Sequence, residues 1–156
     1  MGIFEKLKKK NHELKSLKKI NKVDITHIEK LFNISLPSDY VTFLLKYNGV
    51  VSNDAFNEIY LKDINENVNV DIYGIDTGND ASNIEYWTNA YIDDLFGSTV
   101  IIGDSIQHGF FVLVCDGSND GVYYYDDSYS LSSSDDENNV YFIANTFDEF
   151  LTLLYN

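Results

Sequence analysis

Asp116, Ser118, Asp120 and Gly121, with Asp127 at the twelfth position, reproduce part of a calcium-loop pattern, D-x-[DNS]-x-[DN]-G. In that pattern oxygen ligands recur at alternate residues around a hard cation. The flanks oppose this chemistry. Such a loop joins two helices and closes on a bidentate Glu, whereas this one lies between β-prone runs and ends on Asp. The stretch 116–121, DGSNDG, suits the connection of a hairpin, so a turn without metal is expected. His12 and His27 fall in helical segments without the Cys or acidic spacing of a zinc site, which needs three or four ligands together. His108 opens a β-prone run seven residues before Cys115. An odd separation in a strand sends the two to opposite faces and disfavours a Cys-His nucleophile pair.

Gly103-Asp104-Ser105 sets an acid beside a hydroxyl but lacks a nucleophile elbow. Carboxylate pairs recur at Asp93-Asp94, Asp126-Asp127 and Asp135-Asp136, and their abundance singles out none as an acid–base couple. There is no Gly-rich phosphate loop, and no Arg to clamp a phosphate in bidentate fashion. These absences predict a protein that is not an enzyme and carries no cofactor.

Charge is the strongest bulk signal. All 11 basic residues are Lys, nine of them within residues 1–30, and the formal net charge is −14. From Asp63 to Asn156 there are 18 Asp or Glu and no Lys or Arg. Such a surface repels phosphate and disfavours nucleic acid, while it draws cationic partners and speeds their association. An acidic surface also serves solubility alone. Cys115, the one cysteine, rules out an internal disulfide and suits a reducing cytoplasm. No secretory signal and no apolar run of membrane-spanning length is visible, so no membrane is expected and the predicted address is cytoplasmic.

The elements that must position these residues are written in spacing and caps. Residues 1–22 are expected to form a Lys-rich amphipathic helical extension, with Ile3, Leu7, Leu14 and Leu17 on one face; its lysines are expected to face the acidic body, the alternative being a membrane surface or a partner. Residues 23–156 are expected to form a single domain. Asp24 caps a helix bearing Ile25, Ile28, Leu31 and Phe32. Pro37 suits a first helical position ahead of Tyr40, Phe43, Leu44 and Tyr47, and Gly49 closes that helix. Ser82 with Glu85, and Thr146 with Glu149, spell capping boxes for two more helices.

Strands are expected at Glu58–Leu61 and Val70–Ile75, then Thr99–Ile102, Gly109–Cys115, Gly121–Asp126 and Val140–Ile143. Gly109–Cys115 is apolar on both alternating faces and belongs in the middle of a sheet covered on both sides. Residues 128–139 are a polar acidic loop. The pattern predicts an α+β domain, a mainly antiparallel sheet packed with N-terminal and C-terminal helices.

Three segments then acquire a further meaning. Ile28-Glu29-Lys30-Leu31-Phe32, Leu36-Pro37-Ser38-Asp39-Tyr40 and Phe43-Leu44-Leu45-Lys46-Tyr47-Asn48-Gly49 resemble the N-terminal signature of the SUKH superfamily. Ile102-Gly103-Asp104, the run Gly121–Asp126 and the closing Thr146–Leu151 agree in order, and the resemblance covers about residues 24–155. It implies an α+β fold without a shared catalytic site. For bacterial members it implies an immunity protein that binds and blocks a cognate toxin, often a nuclease; for fungal members, a regulatory scaffold of cell-wall assembly. A basic nuclease cleft is a surface that an acidic protein can fill. The expected contacts are therefore Asp104, Asp116, Asp120, Asp126, Asp127, Asp135, Asp136 and Glu137, with Tyr124 and Tyr129 as aromatic anchors. Core packing is the other use of the tyrosines Tyr123, Tyr124, Tyr125 and Tyr129, and is expected for at least half of them.

Overall fold

The computed structural model of the chain describes residues 18–49, 58–62, 64–105 and 109–154. The helix expected over 1–22 lies outside the described residues as far as 17, and its described remainder, 18–21, is irregular. His12 and His108 lie outside them as well.

Helix α1, Lys22–Leu31, opens on Asn21, whose side chain accepts from the N–H groups of Val23 and Asp24. The Asp24 carboxylate in turn accepts from the Asn21 N–H at 2.9 Å. Asp24 is thus the third helical residue of a reciprocal box rather than the cap itself. Ile25 and Ile28 point into the core, while Leu31 is exposed. Helix α2, Ser38–Tyr47, starts one residue later than expected, because Pro37 keeps extended backbone and takes the cap position. Its four spaced apolar residues, Tyr40, Phe43, Leu44 and Tyr47, are all buried.

Strands β1, Glu58–Leu61, and β2, Glu66–Asn69, pair as an antiparallel hairpin. Between the strands expected at Glu58–Leu61 and Val70–Ile75 the Asn-rich stretch is itself a strand, because Val68 lies opposite Ile59 and both enter the core. Of the run expected at Val70–Ile75 only β3, Asp71–Ile72, is strand. A 3-10 turn at Asp80–Ser82 leads into helix α3, Ile84–Ala90. The Ser82–Glu85 box does not form. Asn83 occupies the cap position, and its side chain serves Thr77 instead.

The remaining strands are β4, Thr99–Asp104, β5, Phe110–Val114, β6, Gly121–Tyr125, and β7, Val140–Ala144. They form an antiparallel sheet of order β3-β4-β5-β6-β7. Every residue of β5 is buried, as two-sided apolarity requires of a central strand. Helix α4, Phe147–Leu154, follows. Thr146 accepts from the Glu149 N–H at 3.1 Å, and the Glu149 carboxylate reaches back to the Asn145 N–H at 3.1 Å, closing its box one residue early.

The chain is an α+β fold with helices on both faces of the sheet. On one face Phe111 meets Phe150 at 5.6 Å, and Phe147 bridges Tyr40 and Phe43. On the other, Trp87 and Tyr91 of the α3 region pack on Phe110 at 5.4 and 4.8 Å. Thr88 pins that helix to the sheet by accepting from the Ile101 N–H at 3.0 Å.

Asn48 joins the layers. It stands just past α2 with φ 50°, a left-handed conformation that Asn tolerates. Its side chain donates to the carbonyls of Lys18 and Ile75 and accepts from the Ile75 N–H at 2.7 Å, all in a buried place. Asn48→Ala removes those bonds and leaves both Ile75 backbone groups unmatched. Each such loss costs about 1–3 kcal/mol. We expect urea unfolding to show a loss of about 3 kcal/mol for Asn48→Ala with unchanged slope. Asn48→Gly should recover only the conformational part, about 1 kcal/mol; full recovery would show that the backbone angle, not the bonding, matters.

Candidate partner-binding groove

Helix α3 has seven residues and so spans about 10 Å. Five strands spaced at ~4.8 Å make a sheet of roughly 19 Å across. Trp87, Thr88 and Tyr91 spread over the β3–β5 side, and among the described residues no helix lies above the β6–β7 side of that face. What remains is an apolar groove of about 480 Å³. Its floor is Val112, Val114, Tyr123 and Tyr125, and its walls are Leu95-Phe96-Gly97 after α3 and Val140 on β7. Phe142 continues the wall, with its ring 5.5 Å from that of Tyr123. Phe96 is 78% exposed, Phe142 46% and Val140 45%, which makes this a contiguous apolar surface on a strongly charged molecule.

Asp94 and Asp116 rim the groove, and every residue lining it comes from the stretch that lacks Lys and Arg. The two floor tyrosines register that field. Burial first, then the charges of Asp116 and Asp120, raise the Tyr123 hydroxyl above its usual range. Burial first, then Asp94 and Asp127, do the same at Tyr125. Both phenols stay protonated and able to donate, as Tyr123 does to the Asn119 carbonyl at 2.7 Å.

The expected contact residues scatter around this groove. Asp116 lies on its rim, but its carboxylate accepts from the N–H groups of Asn119 and Ser118, which hold its pKa below the ordinary value. Asp120 accepts from the Gly117 N–H at 2.8 Å. Asp116 and Asp120 of the calcium-loop pattern are thus turned onto the hairpin's own backbone, and among the described residues no three His, Cys, Asp or Glu side chains gather as metal ligands. Asp104 is half-buried at the far end of β4 from the groove residue Thr99, where it accepts from the Tyr73 hydroxyl. Asp127 is half-buried beside Tyr91.

Two of the expected contacts must be corrected. Tyr124 is fully buried on the opposite face, bonded to Ser105 and packed on Phe111. Asp126 is fully buried too and cannot reach a partner; its carboxylate accepts from Ser130 and from the Leu131 N–H. It builds the loop that carries the exposed candidates. Tyr129 stands there at φ 53°, donating to Asp136 at 2.7 Å. Asp135 accepts from the N–H groups of Glu137 and Asn138, which lower its pKa, while Asp136 and Glu137 are exposed.

Sequence reasoning missed Asp94, Phe96, Val140 and Phe142. A signal existed for the last two. Val-Tyr-Phe-Ile-Ala at 140–144 is apolar throughout although its strand lies at a sheet edge, where the outward face is ordinarily polar.

Residues 19–153 match the family model described as SMI1 / KNR4 family (SUKH-1). The chain belongs to that family. No curated protein and no solved structure matches it. The SUKH-1 match contains every residue of the groove and of the 126–139 loop. Among the described residues no helix is long and apolar enough to cross a membrane.

The Asp126 anchor gives this SUKH-1 chain a pH signature. Burial opposes ionisation of Asp126, yet hydrogen bonds from Ser134, Leu131 and Ser130 outweigh it and hold its pKa below the ordinary value. A depressed folded pKa means that its stabilisation is present above the unfolded value, about 3.9, and is lost as pH falls through the folded one. Asp126→Asn should therefore lower the melting temperature at pH 7 and flatten its decline below about pH 4. Parallel declines in the two proteins would contradict that role.

Proposed function

We propose that this SUKH-1 chain is a non-catalytic immunity protein that acts in the cytoplasm and neutralises a cognate basic toxin by occupying it. The observation that carries the reading is the aromatic groove framed by carboxylates, built wholly from a stretch without one cation. A toxin that holds phosphate needs a basic cleft. Carboxylates at Asp94 and along Asp135–Glu137 attract that cleft from a distance, and the groove's rings desolvate against it on contact. The charge works chiefly on the association rate. The rings work chiefly on dissociation, since buried aromatic anchors carry most of the energy in protein interfaces. The family match equally suits a regulatory scaffold of the fungal kind, which would use the same surface on a different protein.

Binding to the product of the neighbouring gene, followed by surface-immobilised kinetics across a salt series, tests this. Asp94→Asn combined with Asp136→Asn should slow association, and the difference should shrink as salt rises, because exposed charges are screened over about 8–10 Å. Phe96→Ser should leave the on-rate alone and raise the off-rate at least about tenfold, the effect of a hot spot near 1.4 kcal/mol. A salt-independent on-rate with a silent Phe96→Ser would exclude the groove, and a captured signalling or wall-synthesis protein in place of a toxin would favour the scaffold.

A further inference from the structure

β7 is the outermost strand of the sheet, and among the described residues no strand pairs with its other side. Its backbone geometry follows from one bond beyond its start. The Asp126 N–H donates to the Asn139 carbonyl at 2.8 Å, so Asn139 turns its backbone toward β6. Antiparallel ladders alternate, so Tyr141, opposite Tyr124, also faces β6. Val140 and Phe142 then point their N–H and C=O groups away from the sheet. Among the described residues nothing bonds to those groups. Soluble proteins protect such edges with Lys, Pro or an inward charge. Val140–Ala144 has none of these; its one edge device is a bulge at Ile143, which leaves the Val140–Phe142 ladder regular.

We propose that the β7 edge accepts an extended segment of a cationic protein partner as a sixth strand. The proposal rests on the binding reading above and names the form the partner takes. Val140 and Phe142 offer outward backbone groups and present their side chains on the groove face, so the two features form one site. Alternate side chains of an added strand would fall toward the groove and want to be apolar, while the backbone supplies affinity whatever the sequence. The chain on either side of β7 carries Asp135, Asp136, Glu137, Asp148 and Glu149. A second copy of this chain would bring the same carboxylates edge to edge, at a net charge of −14 on each molecule. Charge therefore selects a foreign strand that interleaves Lys or Arg with apolar residues.

The test uses the full-length protein and a short capped peptide alternating lysine with valine, read by amide hydrogen exchange. With peptide at ten times its Kd, exchange at Val140 and Phe142 should slow about tenfold. The same peptide N-methylated at the amides that would face β7 should not slow it. Equal effects from both peptides, or no slowing at these amides at millimolar peptide, would overturn the proposal. Capture of the neighbouring gene's product without slowing at Val140 and Phe142 overturns the edge and leaves the binding reading standing. Slowing by the peptide with no such capture supports the edge and removes the toxin.

Discussion

The structure depends on a sheet that is apolar on both faces. β5 has no side that water could wet, so the chain must supply cover above and below it. On one face α2 and α4 do so, through Phe43, Phe147 and Phe150. On the other, among the described residues, cover comes from the seven residues of α3 and the loop after it. That helix is placed where its pinning bond allows, Thr88 to Ile101 over the β4 side, and the apolar surface of β6 and β7 is left over. The groove is the remainder of this unequal cover. Its site on the sheet follows from packing before any function is considered.

Electrostatics then give the groove its character. With no Lys or Arg after Lys62, the carboxylates of the 94–140 region have no basic neighbour in sequence to offset them. Many are locally committed: Asp116, Asp126 and Asp135 each accept backbone N–H bonds that shape a turn. A bonded carboxylate still projects its charge, so these residues contribute to the field around the groove while they shape their turns. Acids that shape turns and acids that only charge the surface are interleaved along the chain, and counting acids in the sequence could not separate them.

The helices and the central strand were legible because each has a local cause. Tyr40, Phe43, Leu44 and Tyr47 repeat at helical spacing, and Phe110–Val114 is apolar at both parities. The resemblance to the SUKH superfamily was legible for the same reason, since its signature lies in the α1–α2 region. The errors have physical sources. Asn21 outcompeted Asp24 as a cap because a reciprocal box uses both. β2 was hidden by its asparagines, since only Val68 of that strand is fully buried in the core. Tyr123 and Tyr125 face the groove while Tyr124 faces the core, an alternation visible in sequence, but which parity is inward depends on which face α2 and α4 cover. Phe96 and Phe142 come to the same groove face only through the fold.

The central claim is that a partner protein seats on the α3-free half of the sheet. The most direct measurement is hydroxyl-radical footprinting of the full-length chain with and without the product of the neighbouring gene. The account predicts protection of Phe96, Tyr123, Tyr125 and Phe142, with Tyr60 and Tyr86, exposed outside the groove, unchanged. Protection centred on Tyr60 or Tyr86 with Phe96 and Phe142 still reactive would contradict it.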